Sequence, residues 1–277
     1  DTFAEAFAMR AARVVITAKN DKWAREAAQK FTGFATSVIA CKCEAAIERM
    51  LPPEETPDAR PGASILIFST DTDGLGKRLV ERIGQTVLTC PTANCFDGLP
   101  DAPVRATAGR ALRVFGDKFQ ISKVVGGQRY WRVPAMEGEC LLQESFGIEK
   151  QGIGGGNFLI LAEDADSALG AAEAAVDAID GMPGVILPFP GGIVRSGSKV
   201  GSRAYTSLIA STNDAYCPTL RLTTASALPE GVNSVLELVL DGLSADAIGQ
   251  AMRAGIDAAC RPGVRAITAG NYGGKLG

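Results

Sequence analysis

Four times along the chain, a short apolar strand is followed by polar capping residues, an amphipathic helix, a glycine and a second apolar strand. The first copy is Arg13–Lys19 (RVVITAK), a cap at Asn20 and Asp21, a helix through Trp23 and Ala27, Gly33, then Phe34–Ala40 (FATSVIA). The second is Ala63–Ser69 (ASILIFS), a cap at Asp71–Asp73, a helix through Leu79 and Ile83, Gly84, then Thr86–Cys90 (TVLTC). The third is Asn157–Ala162 (NFLILA), a cap from Asp164 to Ser167, a helix through Ala171 and Val176, Gly181, then Val185–Phe189 (VILPF). The fourth is Ser234–Leu240 (SVLELVL), a cap at Ser244, a helix through Met252 and Ile256, Pro262 and Gly263, then Val264–Ala269 (VRAITA). Caps satisfy the orphan N–H groups of each helix start, and glycine supplies the left-handed turn that ends it.

A strand–helix–strand unit crosses over right-handed and sets its two strands parallel. Two units in succession give βαββαβ, the split βαβ arrangement of ferredoxin-like folds. The chain therefore reads as α+β, with two ferredoxin-like lobes from an internal duplication at residues 1–102 and 155–277. The lobe ends echo each other, Thr92–Gly98 (TANCFDG) against Thr268–Gly274 (TAGNYGG). Residues 103–154 differ in texture and predict a β-rich insertion. Ala111–Phe119, Gln120–Val125, Gln128–Pro134 and Cys140–Ser145 read as antiparallel strands, with a tight turn at Gly126–Gly127. Pro52 to Gly62 reads as a rigid connecting loop, and Gly152–Asn157 (GIGGGN) as a marker of the lobe boundary.

Composition removes several functions. A net charge of −3 with pI near 5.3, and basic residues scattered along the chain, gives no field for nucleic acid or anionic membrane. No apolar run reaches the roughly 18–20 residues of a spanning helix, and the start carries no signal-peptide pattern. The chain does not open on Met, so a short N-terminal piece is expected to precede it. Seven cysteines without regular spacing read as reduced thiols in a cytoplasm, and Cys41 and Cys43 stand too close for a zinc clasp. No metal site is expected. The 277 residues contain no histidine, which removes Ser–His and Cys–His pairs and leaves proton transfer to Glu, Asp, Lys, Tyr, Cys or the substrates.

Four features are candidates for chemistry. Pro188–Ser202 (PFPGGIVRSGSKVGS) nearly spells a phosphate cradle, but Ser198 intrudes and Lys199 comes one place late. Its prolines break the approach and no apolar helix follows, so an anion- or substrate-binding loop, or a plain glycine-rich surface loop, remains; Gly191, Gly192, Ser198 and Lys199 are its candidate contacts. Ala210–Thr219 (ASTNDAYCPT) offers Ser211, Thr212, Asn213, Asp214 and Tyr216 as a hydrogen-bonding surface, against the alternative of a capping and turn segment. In SVLELVL, alternation puts Leu236, Leu238 and Leu240 on the face that meets the helices. Glu237 then stands between Val235 and Val239 on the open face, where a covering lobe or ligand would desolvate it and raise its pKa; the alternative is a solvent-facing Glu. Finally, Thr92–Gly98 and Ala269–Lys275, which includes Asn271, are glycine-rich strand ends that permit close approach of a ligand or a neighbouring subunit, or are merely tight turns.

Several stretches carry a resemblance to a known family. They are Asp1–Phe7 (DTFAEAF), Thr32–Ile39 (TGFATSVI), Pro52–Asp58 (PPEETPD), Pro91–Asn94 (PTAN) with Phe96 and Asp97, Glu144–Ile148 (ESFGI) and Gly155–Phe158 (GGNF). Pro188–Val194 (PFPGGIV), Ser198–Ser202 (SKVGS), Ala210–Thr219, Leu228–Val232 (LPEGV) and Ala269–Gly277 (AGNYGGKLG) complete the set. Along essentially its whole length the chain resembles formylmethanofuran:tetrahydromethanopterin formyltransferases.

The resemblance implies a two-lobed ferredoxin-like fold and a homo-oligomer, dimer or tetramer, with clefts near subunit contacts. It implies reversible formyl transfer between the primary amine of methanofuran (or methofuran) and N5 of tetrahydromethanopterin, the carriers being co-substrates with no prosthetic group. Glu237 matches the family's strand glutamate at the active cleft, which makes it the expected general acid/base. Ser198, Lys199 and residues 211–216 are the expected carrier contacts. Methanogen members are very acidic, whereas this chain is nearly balanced and carries 18 Arg against 10 Lys, which points to a methylotroph's subunit of a formyltransferase/hydrolase complex. Family chains continue past the final glycine, so the absence of histidine holds only for these 277 residues. The rival reading is a non-catalytic carrier-binding or scaffold subunit of such a complex.

Overall fold

The computed structural model describes residues 3–269. Contacts divide the chain into two compact units: Met9–Gly152, and the chain on either side of that stretch.

The first unit begins with β1 (Phe7–Thr17) from Met9 onward and α1 (Asp21–Thr32), then the short α2 (Val38–Cys41), β2 (Glu44–Leu51), β3 (Gly62–Ser69), α3 (Thr72–Arg82) and β4 (Asn94–Asp97). Pairing gives the order β4–β1–β3–β2, antiparallel throughout. The helices bury Phe31, Leu75 and Leu79 against Ile65 and Ile67 of β3. The caps are those the sequence names: the Asn20 side chain accepts from the Trp23 N–H, and Asp71 from the Gly74 N–H.

The expected insertion belongs to this unit. After β5 (Val104–Ala106) and α4 (Ala108–Leu112) come β6 (Ile121–Val125), β7 (Gln128–Ala135) and β8 (Gly138–Gln143). β8 lies parallel to β4 at Cys95 and Leu142, and β7 and β6 follow as antiparallel neighbours. Gly126 and Gly127, at φ 56° and 76°, make the β6–β7 turn, a backbone shape that other residues adopt only under strain.

Three expected strands are not strands. Phe34–Ala40 gives a left-handed Phe34 (φ 50°) and then α2, which Ser37 caps; the strand is instead Glu44–Leu51, whose Ala, Glu, Met and Leu favour helix in isolation. Thr86–Cys90 extends α3 through a wide turn over Ile83–Val87, where the Thr86 and Thr89 hydroxyls bond back to the carbonyls of Arg82 and Gln85. Ala111–Phe119 is mostly α4 and a tight helical turn over Arg113–Gly116, because Ala, Leu and Arg support helix and Gly109 is seated on the Gln143 carbonyl.

The second unit contains β9 (Phe146–Ala162) from Ile153 onward, then α5 (Ala165–Ile179), β10 (Val185–Ile186), β11 (Lys199–Val200), β12 (Ala210–Ser211), β13 (Ser234–Gly242), α6 (Ala245–Ala259) and β14 (Val264–Thr268). The order β14–β9–β13–β10 is antiparallel throughout and matches the strand order of the first unit. Asp164 and Ser244 cap α5 and α6 from the Ser167 and Ala247 N–H groups. α5 and α6 cover one face of this sheet, burying Phe158, Ile160, Leu238 and Leu240. Gly255 is seated between Ile179 and Phe158, where a Cβ would come within 2.7 Å of Ile179.

The seven cysteines are free thiols. Cys95 and Cys140 are buried in the first unit, and burial pushes the Cys140 thiol up to about 12 and the Cys95 thiol well above its ordinary value. Among the described residues no helix is long and apolar enough to cross a membrane.

Candidate functional site

β13 sets the site. Its register against β9 pairs Glu237 with Leu159 and Val239 with Asn157, so these four side chains share the sheet face opposite α5 and α6. Leu238 and Leu240 meet the helices, as the alternation predicts, while Val235 packs with Leu159, Leu161, Tyr216, Leu228 and Val232. The expected open face is thus covered in part by the unit's own chain.

Glu237 is 5% exposed. Asn157, diagonally across the strand pair and equally buried, donates its Nδ2–H to Glu237 Oε1 at 2.8 Å. Burial raises the Glu237 pKa above the ordinary carboxylate range, and the Asn157 hydrogen bond opposes the rise by stabilising the charged form.

The glycine loop reaches this carboxyl through its backbone. Val194 and Glu237 form a bridge in which each N–H donates to the other's carbonyl. Upstream, Gly191 is exposed, and Gly192 is buried where a Cβ would fall 2.9 Å from Val176 of α5. Downstream, Gly197 (φ 56°) lets the chain turn beside Asn213. Lys199 opens β11 instead of a helix, so no helix N-terminus stands behind the loop for a nucleotide phosphate.

β11 pairs with β12 and sets Lys199 opposite Ser211. Lys199 donates to Asp214 Oδ1, and Arg203 reaches Asp214 Oδ2 at 2.8 Å. The Lys199 hydrogen bond foremost holds the Asp214 carboxyl below its ordinary range. Two cations on one carboxylate leave a net positive charge of about one. Ser198 and Thr212 are exposed and Ser211 half-buried.

A small cleft gathers Glu237, Asn213 and Tyr216 together with Arg195, Ser196 and Cys217. Gly191, Gly192, Ser198, Lys199, Ser211, Thr212 and Asp214 do not line it; Lys199 and Asp214 brace the loops that do. Asn271 lies outside the described residues. Sequence reasoning missed Asn157, which reads as part of a glycine-rich boundary until the β9–β13 register is known. It also missed Cys217, whose thiol bonds to the Asn213 carbonyl and contacts the Thr212 hydroxyl. Among the described residues no three or more of His, Cys, Asp and Glu gather as a metal ion would need.

The arrangement thus offers one buried carboxyl of raised pKa, several hydrogen-bond donors and a cationic brace, which suits proton exchange with a polar, acidic substrate.

Comparison with known proteins gives the same direction. Residues 1–135 match the family described as formylmethanofuran-tetrahydromethanopterin formyltransferase, and residues 138–277 the family described as FTR, proximal lobe. A formylmethanofuran–tetrahydromethanopterin formyltransferase of Methylococcus capsulatus is 59% identical, over 100% of this chain and 93% of the relative. A subunit of the formyltransferase/hydrolase complex of Methylorubrum extorquens is 48% identical, over 100% of this chain and 91% of the relative. Among solved structures, the formyltransferase from Methanosarcina barkeri superposes with TM-score 0.94 at 48% identity, covering 100% of this chain and 94% of that one. A chain of the Methylorubrum extorquens formyltransferase/hydrolase complex, solved with methylofuran, superposes with TM-score 0.96 at 48% identity, covering 100% and 92%. The chain belongs to the formylmethanofuran–tetrahydromethanopterin formyltransferase family.

Proposed function

We propose that the chain transfers a formyl group between the primary amine of methanofuran and N5 of tetrahydromethanopterin, with Glu237 as general acid/base. The observation that carries the assignment of Glu237 is its buried carboxyl of raised pKa, on the wall of a small cleft that Arg195, Ser196 and Asn213 also line, in a chain of this family. The attacking nitrogen bonds to the formyl carbon and the carbonyl pair moves onto oxygen. The proton lost by that nitrogen passes to the Glu237 carboxylate. The other C–N bond then breaks, the carbonyl reforms, and Glu237 returns the proton to the departing nitrogen. An ordinary glutamate is a poor base; burial raises its proton affinity, which suits it to take the proton from one nitrogen and hold it for the other.

The tetrahedral oxyanion needs fixed donors. Ser196 and Asn213, which line the cleft, are the donors we assign. The carriers bear carboxylates, and the net positive Lys199–Asp214–Arg203 group gives these a partner. Carrier contact is assigned to Ser198, Lys199, Ser211, Thr212, Asn213, Asp214 and Tyr216, with Gly191, Gly192 and Asn271 completing the set. Holding both carriers in line contributes to the rate beside the proton transfer.

The shared strand order of the two units supports two ferredoxin-like lobes from one duplication, at 1–102 and 155–277, with 103–154 inserted between them. The protein works as a homo-oligomer in the cytoplasm or, as the Methylorubrum extorquens relative suggests, beside formyl-hydrolase subunits.

Purified protein mixed with formyl-tetrahydromethanopterin and methanofuran is expected to exchange the formyl group, followed by absorbance, and Glu237→Gln to lose most of that exchange. No exchange, with tight binding to hydrolase subunits, would overturn the reading in favour of a scaffold.

A further inference from the structure

Asn157 is a costly residue for its place. It is 4% exposed, on a face it shares with Leu159 and Leu161, and among the described residues its buried Oδ1 has no hydrogen-bond partner. An unsatisfied buried acceptor costs roughly 1–3 kcal/mol, and a leucine, with the same branching and no polar atom, would not incur it. Among the described residues, the hydrogen bond of this side chain runs from Nδ2 to Oε1 of Glu237. A residue kept for packing alone has no use for that arrangement.

The bond has a directional consequence. An N–H donor on Oε1 is satisfied when that oxygen is carboxylate or carbonyl, and opposed when it carries a hydrogen. We propose that Asn157 is the positioning residue of Glu237: it reserves Oε1 as an acceptor and confines the exchangeable proton to Oε2. Glu237 then receives and returns its proton at one oxygen, and the reacting nitrogens need present themselves at only one point. Without Asn157 the proton is free to reside on either oxygen, and a fraction of the neutral enzyme holds it in the wrong place. The inference rests on the acid/base reading of Glu237.

Among the described residues, the titratable and charged groups near Glu237 are few. Arg195 stands on the loop bridged to β13, Tyr216 and Cys217 lie on the segment after β12, and Asp241 occurs further along β13 itself. β9 presents Asn157 and Leu159, which are uncharged. The Glu237 shift follows from burial, opposed by Asn157. Removing the amide therefore moves the titration of Glu237 upward.

The test is Asn157→Leu, with Asn157→Asp as a second variant of matched volume. In Asn157→Leu, kcat is expected to fall roughly ten- to a hundredfold, a part of the roughly 10²–10⁴ that an acid/base group supplies, with KM for both carriers unchanged. The acid limb of its pH–rate profile is expected to move to higher pH. Asn157→Asp, which puts a second carboxyl beside the first, is expected to move the limb at least as far. In a Glu237→Gln background, Asn157→Leu is expected to add no further loss, since it acts through a group no longer there. An unshifted limb in both variants, or a full additional loss in the Glu237→Gln background, would overturn the proposal. A carboxyl-labelled NMR titration of Glu237 with and without Asn157 reads the coupling independently of turnover. A coupled but inactive protein would sink the formyl-transfer reading alone, and an active protein with an uncoupled Glu237 would sink this one alone.

Discussion

Val194 and Glu237 exchange both of their backbone hydrogen bonds, at 2.7 and 2.9 Å. The bridge fixes the glycine-rich loop to the strand that carries the buried carboxyl. Residues 195–197 therefore leave the sheet at a set point, and the cleft wall is positioned by main chain, which substitution of surface side chains does not disturb.

Replacing Glu237 with Gln tests the acid/base role. The rate of formyl exchange is expected to fall roughly 10²- to 10⁴-fold. Carrier KM values should change little, because the amide keeps the shape. Normal turnover in the variant would remove Glu237 from the mechanism.

The same substitution has a sign in stability. The folded state raises the Glu237 pKa above its unfolded value, so the group's contribution is fully present below the unfolded pKa. It is lost as pH rises through the folded pKa. Glutamine carries no charge to desolvate, so the variant is expected to melt at or above the wild-type temperature at pH 7–8 and to show a flatter pH dependence. Calorimetry across pH 4–8 checks this, and a Tm deficit that grows with pH would contradict it.

Lys199→Met should raise KM for the carriers and weaken its salt dependence, leaving kcat less affected. Asp214→Asn should instead act through structure, lowering thermal stability as the loops lose the brace that Lys199 and Arg203 make on that carboxylate. A steady-state comparison at two ionic strengths separates them; equal effects on kcat and KM in Lys199→Met would argue against carrier contact.

Gly197→Ala is expected to destabilise by roughly 1–2 kcal/mol, the cost of a left-handed backbone for an L residue. Its Cβ would also meet the Asn213 Cβ at 3.2 Å, pressing on the cleft. Chemical denaturation and KM should move together, and an unchanged KM would detach Gly197 from the site.

Ser244→Ala removes the side-chain cap of α6 and should cost about 1 kcal/mol, without change in kcat. Loss of activity without loss of stability would reveal a role for that helix beyond support of the sheet.

Much of this was legible because capping and burial are local signals. Asn20, Asp71, Asp164 and Ser244 each accept from the N–H three residues on, and the alternation in SVLELVL places Glu237 on the face away from the helices. What failed were short apolar runs such as Phe34–Ala40 and Thr86–Cys90. Four or five apolar residues fit a helical turn as well as a strand, and only their partners decide. Glu44–Leu51 shows the converse, helix-forming residues held as a strand by pairing with β3. At the site, Asn157 was hidden because its meaning lies in register: it faces Glu237 only once Leu159 is known to sit opposite that residue. The Lys199–Asp214 contact was hidden for the same reason, since it depends on the pairing of β11 with β12.

The buried thiols of Cys95 and Cys140 give the first unit a built-in clock. At neutral pH an alkylating reagent should reach the exposed Cys260 at once. Cys95 and Cys140, shielded and held in the unreactive thiol form, should wait for the sheet around β4 and β8 to open. Their labelling rates, followed by mass spectrometry, convert the opening of that sheet into a measured time constant.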